Sequence, residues 1–223
     1  MLKVRHFVVI KLFILICVSC LAYANTKSDS TDVKIIVKNN DGDVLENMVI
    51  TVHGNNLSSI PPEERPTVKQ INKQFEPHIK VIPVDAEVTF PNLDSVQHHV
   101  YSFSKAKTFE LALYDSDSKS NVVFDTAGVV EMGCNVHDWM LGYVYVTDAP
   151  IYGKTNSNGV VNIALPVGEY SIKVWHPRLK SSDIDKIHTL KSSGNKQTFT
   201  LRLEEEMLPD ELADEDDLEF DDY

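Results

Sequence analysis

Short apolar runs rich in Val, Ile, Tyr and Phe, separated by turn residues, recur along most of this chain, the signature of short strands. Residues 33–37 form one such apolar run and 44–52 a second. Asn39-Asn40-Asp41-Gly42 lies between them, with the Asp-Gly chemistry of a tight hairpin. Residues 153–155 and 160–165 flank Ser157-Asn158-Gly159 in the same way. Pro166-Val167-Gly168 turns the chain into a strand over 170–175, and 198–203 supplies a last one. Between these flanks, 81–84, 87–90, 99–103, 109–113, 122–124, 129–132 and 143–146 are each strand-like. That many short strands in so few residues predicts one compact sandwich. Residues 57–78 break the pattern with Pro61-Pro62-Glu63-Glu64-Arg65-Pro66 and read as a linker or crossover. No amphipathic helix longer than a few turns is visible, so the fold class is all-β.

The two ends differ from this body. Lys3, Arg5 and Lys11 precede an apolar run over 12–21 and then Ala22-Tyr23-Ala24. A basic start, an apolar stretch too short to span a bilayer and a small-x-small site together predict a secretion signal over 1–24. Its removal takes away Cys17 and Cys20 and leaves Cys134 as the one cysteine of an exported, periplasmic chain, where thiols ordinarily pair. At the other end, residues 204–223 hold twelve Asp or Glu and no Lys or Arg, equal to the whole formal charge of −12. So dense an acidic run predicts a solvated, disordered tail. It also disfavours nucleic acid and anionic lipid as ligands and favours a basic partner.

The chemistry lies in the middle. Cys134-Asn135-Val136-His137-Asp138-Trp139-Met140 places a thiol, an imidazole and a thioether in one short loop after a strand. Thiolate, imidazole and a weak axial thioether are what a trigonal His2Cys copper ion requires, and the loop supplies all but one imidazole. Zinc fits less well, because Met is a poor fourth donor. The missing histidine comes from His98-His99. Side chains alternate faces along a strand, so one of the two faces the loop. Tyr101, Phe103, Trp139, Tyr143 and Tyr145 surround these residues as core filling and water exclusion, with Trp139 placed for a partner surface. His53, His78, His176 and His188 stand apart from any partner at ligand spacing.

His98 followed by x-Val, then Cys-x2-His-x2-Met some 36 residues on, resembles the cupredoxins, with a ligand loop of amicyanin length. The longer string from Phe90-Pro91-Asn92 to Val146 resembles cupredoxin-domain proteins labelled methylamine utilisation proteins. The resemblance implies a Greek-key cupredoxin domain over 76–147 and one copper ion held by His98, Cys134, His137 and Met140. It also places His99 where these proteins carry an Asn that ties the two ligand loops together, which marks His99 as a donor behind the ligands, an electron-exit group or a pH sensor.

Residues 42–52 and 155–170 resemble strands of the carboxypeptidase regulatory-like, or transthyretin-like, sandwich. This implies a discontinuous second domain, 31–56 plus 148–203, with the copper domain inserted into it through a linker over 57–75. The resulting expectation is an exported one-electron carrier, not an enzyme, whose partner is a redox protein such as a cytochrome or dehydrogenase. The competing expectation is a non-redox copper-binding or glycan-binding β-sandwich.

Overall fold

A computed structural model describes residues 30–116, 118–204 and 206–209. Both predicted terminal segments, the signal over 1–24 and all but the first residues of the acidic tail, lie outside these. No helix among the described residues is long and apolar enough to cross a membrane.

Among the described residues, the first strands are β1 (Thr31–Lys38) and β2 (Val49–His53). A central run follows: β3 (Lys69–Ile71), β4 (Gln74–Glu76), β5 (Ile79–Pro83), β6 (Ala86–Pro91), β7 (His98–Ser104), β8 (Lys107–Tyr114), β9 (Lys119–Phe124), β10 (Gly128–Cys134) and β11 (Leu141–Thr147). The last elements are β12 (Ile151–Lys154), β13 (Val160–Leu165), β14 (Gly168–Trp175), the single-turn α1 (Ser181–Ile184), β15 (His188–Ser192) and β16 (Gln197–Arg202).

The first two strands and the last five make two facing sheets, ordered β13-β1-β16 and β12-β2-β14-β15. Val33, Ile35, Val37 from one and Ile50, Val52, Ile172 from the other are buried in a single aliphatic core. This arrangement corrects both predicted hairpins. β1 pairs with β13 and β16, and touches the second strand only through the bridge between Lys38 and Val44. β12 pairs with β2 and not with β13. The Asn-Gly and Asp-Gly turns do form, as Gly42 N to Asn39 O at 3.2 Å and Gly159 N to Asn156 O at 2.8 Å show. Each carries the chain across the core to the opposite sheet, because the apolar faces it joins must oppose one another to be buried.

The central strands build the second core. One layer is ordered β5-β11-β10-β7-β8, with β5 parallel to β11 and the remaining neighbours antiparallel. The facing layer is the β6-β9 pair, extended by bridges from Thr67 to Thr89 and Gln70 to Asn92. Val88, Phe90, Val122 and Phe124 pack there against Val100, Val130, Met132 and Val144. Removing such a side chain from water is worth roughly 1.5–3 kcal/mol. The segment expected to be a linker instead contributes: Val68 and Phe75 are buried in this core, and β3 pairs with β4. Phe75 stacks against Gly142, where a Cβ would lie 2.9 Å from the Phe75 Cβ. Only a glycine in β11 lets the hairpin approach that closely.

β11 is buried on both faces. Val144 and Val146 point into the central core, while Tyr143 and Tyr145 meet Trp175 of β14 at ring-centroid distances of 5.8 and 5.1 Å. Val49 and Ile79 complete this apolar junction between the two cores.

Candidate metal centre

Three donors converge where β7 and β10 end. β7 alternates His98, Val100 and Ser102 inward with His99, Tyr101 and Phe103 outward, and β10 turns Val130, Met132 and Cys134 to the same interior. Pairing of Cys134 with Val100 sets the register that brings the thiol beside His98. The loop then folds back on itself through Met140 N to His137 O at 3.0 Å, which returns the imidazole to the thiol.

Cys134 Sγ lies 3.7 Å from His98 Nδ1 and 3.7 Å from His137 Nδ1. Donor bonds of about 2.0 Å to nitrogen and 2.3 Å to sulfur span such a gap when the angle at a shared ion is about 120°. A tetrahedral angle would bring nitrogen and sulfur to about 3.5 Å with the same bonds. The three donors sit within 4.8 Å of one another. His98, Cys134 and Met140 are at most 3% exposed and His137 is 8% exposed. Met140 belongs to the same buried cluster as Cys134.

The strand alternation resolves the two neighbouring histidines. His98 faces the thiol, whereas His99 turns away and pairs through Nε2 with Glu110 Oε1 at 2.8 Å. The tie between the two ligand segments is nonetheless present, made by the backbone: Asn135 N donates to His99 O at 3.2 Å. Any residue at position 99 can supply that carbonyl, so the absent Asn costs the site no tether.

Electrostatics keep the imidazoles ready to donate. Burial lowers the His137 pKa from its ordinary value, aided by the neighbouring His98 and Lys73 and opposed by Asp94. A neutral imidazole keeps a lone pair on Nδ1 for a metal. His98 Nε2 donates to Asp94 Oδ2 at 2.8 Å. Burial works to raise the Asp94 pKa, but bonds from the Lys73 backbone, His98 and the Asn72 backbone outweigh it and leave it lowered. An ionised carboxylate only accepts, so Nε2 carries a proton, and the neutral tautomer that this bond selects has its lone pair on Nδ1, facing Cys134.

A buried polar network holds the segment preceding His98. Asn92 donates through its side chain to Val96 O at 2.8 Å and Tyr114 O at 3.1 Å. The Gln70 amide bonds to the Tyr114 hydroxyl, which itself donates to Phe90 O at 3.1 Å. Burial pushes the Tyr114 phenol up to about 12, against the bond from Gln70 and with a contribution from Cys134. Gln70, Asn92, Asp94 and Tyr114 carried no role in the sequence reading, because none stands at a regular spacing from the ligands.

Outside, a groove of about 590 Å³ is lined by Tyr101, Phe103, Glu131 and Trp139, with Cys134 and Met140 in its wall. Phe103 is 81% exposed, and the Trp139 ring lies tilted against the His137 ring at a centroid distance of 5.4 Å. The histidines set aside by the sequence reading stay apart from the centre. His78 Nδ1 bonds to Leu141 O at 3.1 Å and His176 Nδ1 accepts from Arg178 N at 3.2 Å.

The described residues are nearly all β, and the half that holds His98, Cys134 and His137 is a two-layer β-sandwich. Its His98, Cys134, His137 and Met140 group is suited to one copper ion. No family model matches the chain, and no curated protein does. Among solved structures, a novel purple cupredoxin from Nitrosopumilus maritimus is 26% identical, with a TM-score of 0.34, over 37% of this chain and 99% of that one. A copper-containing nitrite reductase from Thermus scotoductus SA-01 is 20% identical, with a TM-score of 0.37, over 43% of this chain and 25% of that one. A reduced Cu(I) form of an amicyanin mutant is 17% identical, with a TM-score of 0.36, over 44% of this chain and 98% of that one.

Proposed function

We propose that this is an exported type 1 copper protein that carries single electrons between redox partners. His98 Nδ1, His137 Nδ1 and Cys134 Sγ are the equatorial donors and Met140 is the weak axial one. The observation that carries this reading is the 3.7 Å spacing of both Nδ1 atoms from one buried thiol. Copper bound there supplies a Cu(I)/Cu(II) couple tuned by its axial thioether.

The protein residues account for the rest. All four side chains are buried, at most 8% exposed, which supports a carrier over an enzyme. Backbone ties at Asn135 and Met140 hold the loop in one shape, so little rearrangement accompanies a change of charge. His137 and Trp139 bring the buried centre toward the surface, and Glu131 and Asp138 give the adjoining groove an acidic character suited to a basic redox protein.

The copper-loaded protein is expected to show an intense visible thiolate-to-copper band that Cys134→Ser abolishes. A colourless Cu(II) form, or colour that survives this substitution, overturns the reading. The competing function, copper storage or a purely binding role, requires a potential outside the reach of periplasmic cytochromes and ready loss of copper to a chelator.

A further inference from the structure

Asp94 accepts three hydrogen bonds, and all but one come from a part of the chain remote from the ligands. Its Oδ1 takes Asn72 N at 2.7 Å, and its Oδ2 takes Lys73 N at 2.9 Å and His98 Nε2 at 2.8 Å. Asn72 and Lys73 have φ of 54° and 57°, so two successive left-handed residues aim neighbouring N–H groups at one carboxylate. The hairpin bearing them, β3 to β4, is anchored below by Phe75 in the core. Asp94 is fixed on its own side as well, since its backbone N donates to Asn92 Oδ1 at 2.9 Å and Asn92 is fully buried. The side chain is 13% exposed, shielded enough for its charge to act on the buried cluster.

We propose that Asp94 is a positioning residue of the metal centre, holding His98 with Nδ1 toward Cys134 and biasing the site toward Cu(II) through its charge. Two effects combine. Accepting from Nε2 fixes the tautomer and the ring orientation, which sets where the Nδ1 lone pair points. An anion one imidazole ring away also stabilises the more highly charged oxidation state. The Asn72–Lys73 turn gives the carboxylate its own donors, so its place does not depend on the histidine it orients. The β3–β4 hairpin is thereby part of the metal centre, a clamp closed over the loop before His98.

This inference rests on the copper reading, and the experiment separates the two. Asp94→Asn, Asp94→Ala and Asp94→Glu are made in the full chain, loaded with copper and compared with wild type. The neutral amide keeps an acceptor without the charge, alanine removes both, and Glu restores the charge. Release of Cu(II) to a chelator is expected to quicken about 10- to 100-fold in Asp94→Ala, the usual loss when such a partner is removed. Each tenfold by which Cu(II) affinity falls more than Cu(I) affinity raises the potential by about 59 mV. Asp94→Asn is expected to shift the potential in the same direction, and Asp94→Glu to restore part of it.

In the copper-free protein, the His98 Nε2–H proton is expected as a slowly exchanging signal that Asp94→Ala removes. Unchanged potential and release in both Asp94→Asn and Asp94→Ala overturn the proposal. A wild type without the thiolate-to-copper band overturns the copper reading instead. The Nε2–H signal then decides the positioning role, and its persistence in Asp94→Ala overturns that too.

Discussion

The two cores of this molecule are built from the same alternating strands, yet they treat buried polar groups in opposite ways. In the core formed by the flanking strands, such groups are scattered and several bond to nearby backbone, while Thr51 Oγ1 and His188 Nε2 are buried without a hydrogen-bond partner. Thr155 accepts from Met48 N at 2.9 Å and donates to Leu45 O at 2.7 Å, and Asp183 accepts from Glu204 N at 3.1 Å. In the central core, His98, Cys134 and His137 converge on one point with their ring Nδ1 atoms turned toward the thiol and away from backbone. A stable sandwich consumes its polar atoms locally. A metal centre holds several in reserve, and their orientation has to come from a surrounding frame. Here that frame is Asn92, Asp94, the Asn72–Lys73 turn and the backbone bond from Asn135 to His99.

The largest effect is expected from separating the two cores at their junction. Trp175 is 8% exposed and packs on Tyr143 and Tyr145, both on the strand that leaves the ligand loop. Trp175→Ala is expected to cost about 3–5 kcal/mol, the range for truncating a buried large aromatic. It should also uncouple the halves. In wild type, loss of the visible copper band and loss of far-ultraviolet strand signal are expected at one urea concentration. In Trp175→Ala the flanking sandwich is expected to unfold first while the band persists. Coincident transitions, with a midpoint little changed, would show that the junction contributes little.

Much of this was legible in the sequence, and the gaps have physical causes. Four of the seven predicted central strands, β6, β7, β9 and β10, bury alternate residues, so period two appears directly in the residue types, and β7 places 98 inward and 99 outward. The hairpin over 69–76 has one buried residue in each three-residue strand, too few to show any period. β11 hid its role in a different way: Tyr143 and Tyr145 alternate with Val144 and Val146, but both sets are buried, one against each core. The turns at Gly42 and Gly159 were recognisable, while the sheet their outgoing strands join was not, because turn chemistry is local and sheet choice is decided across the core. The candidate donors were chosen by donor type, and the structure brings His98, Cys134 and His137 together. Asp94 escaped notice because it acts from a loop four residues before His98, where no repeating geometry links spacing to contact.

A smaller perturbation tests whether the frame transmits to the site. At Gly142 an added Cβ meets Phe75 Cβ at 2.9 Å and its ring at 3.0 Å, so Gly142→Ala pushes on a side-chain root that moves only with its hairpin. At Gly153 the nearest atom is a Val161 methyl at 2.8 Å, a branch tip in the other core. Overpacking of this kind costs about 1–3 kcal/mol, and the upper part of that range is expected at 142. The copper band is expected to shift in Gly142→Ala and to stay in place in Gly153→Ala, as read by absorption of the loaded proteins. Identical spectra in both would mean that the hairpin and the ligands are mechanically independent.

The smallest expected effect lies in the flanking sandwich, at His188. Burial lowers its pKa, the Lys186 charge adds to this, and Asp183 and Glu204 oppose it. Its Nε2 is buried without a hydrogen-bond partner, which gives the imidazolium nothing to donate to. The unfolded chain has an ordinary histidine near 6.5. Between that value and the lower folded one, the unfolded state binds more protons, so stability rises with pH and falls on acidification. This contribution is complete above the unfolded value, is lost as pH drops through about 6.5, and changes no further below the folded value. His137 behaves in the same direction in the copper-free protein, since its pKa is lowered too. Urea midpoints at pH 7.5 and 5.5 therefore separate the regions. Copper-free His188→Gln is expected to lose part of the wild-type difference and to keep the share that belongs to the metal centre. A difference as large as wild type would remove His188 from the balance, and a wild-type protein that gains stability on acidification would contradict the sign for both histidines.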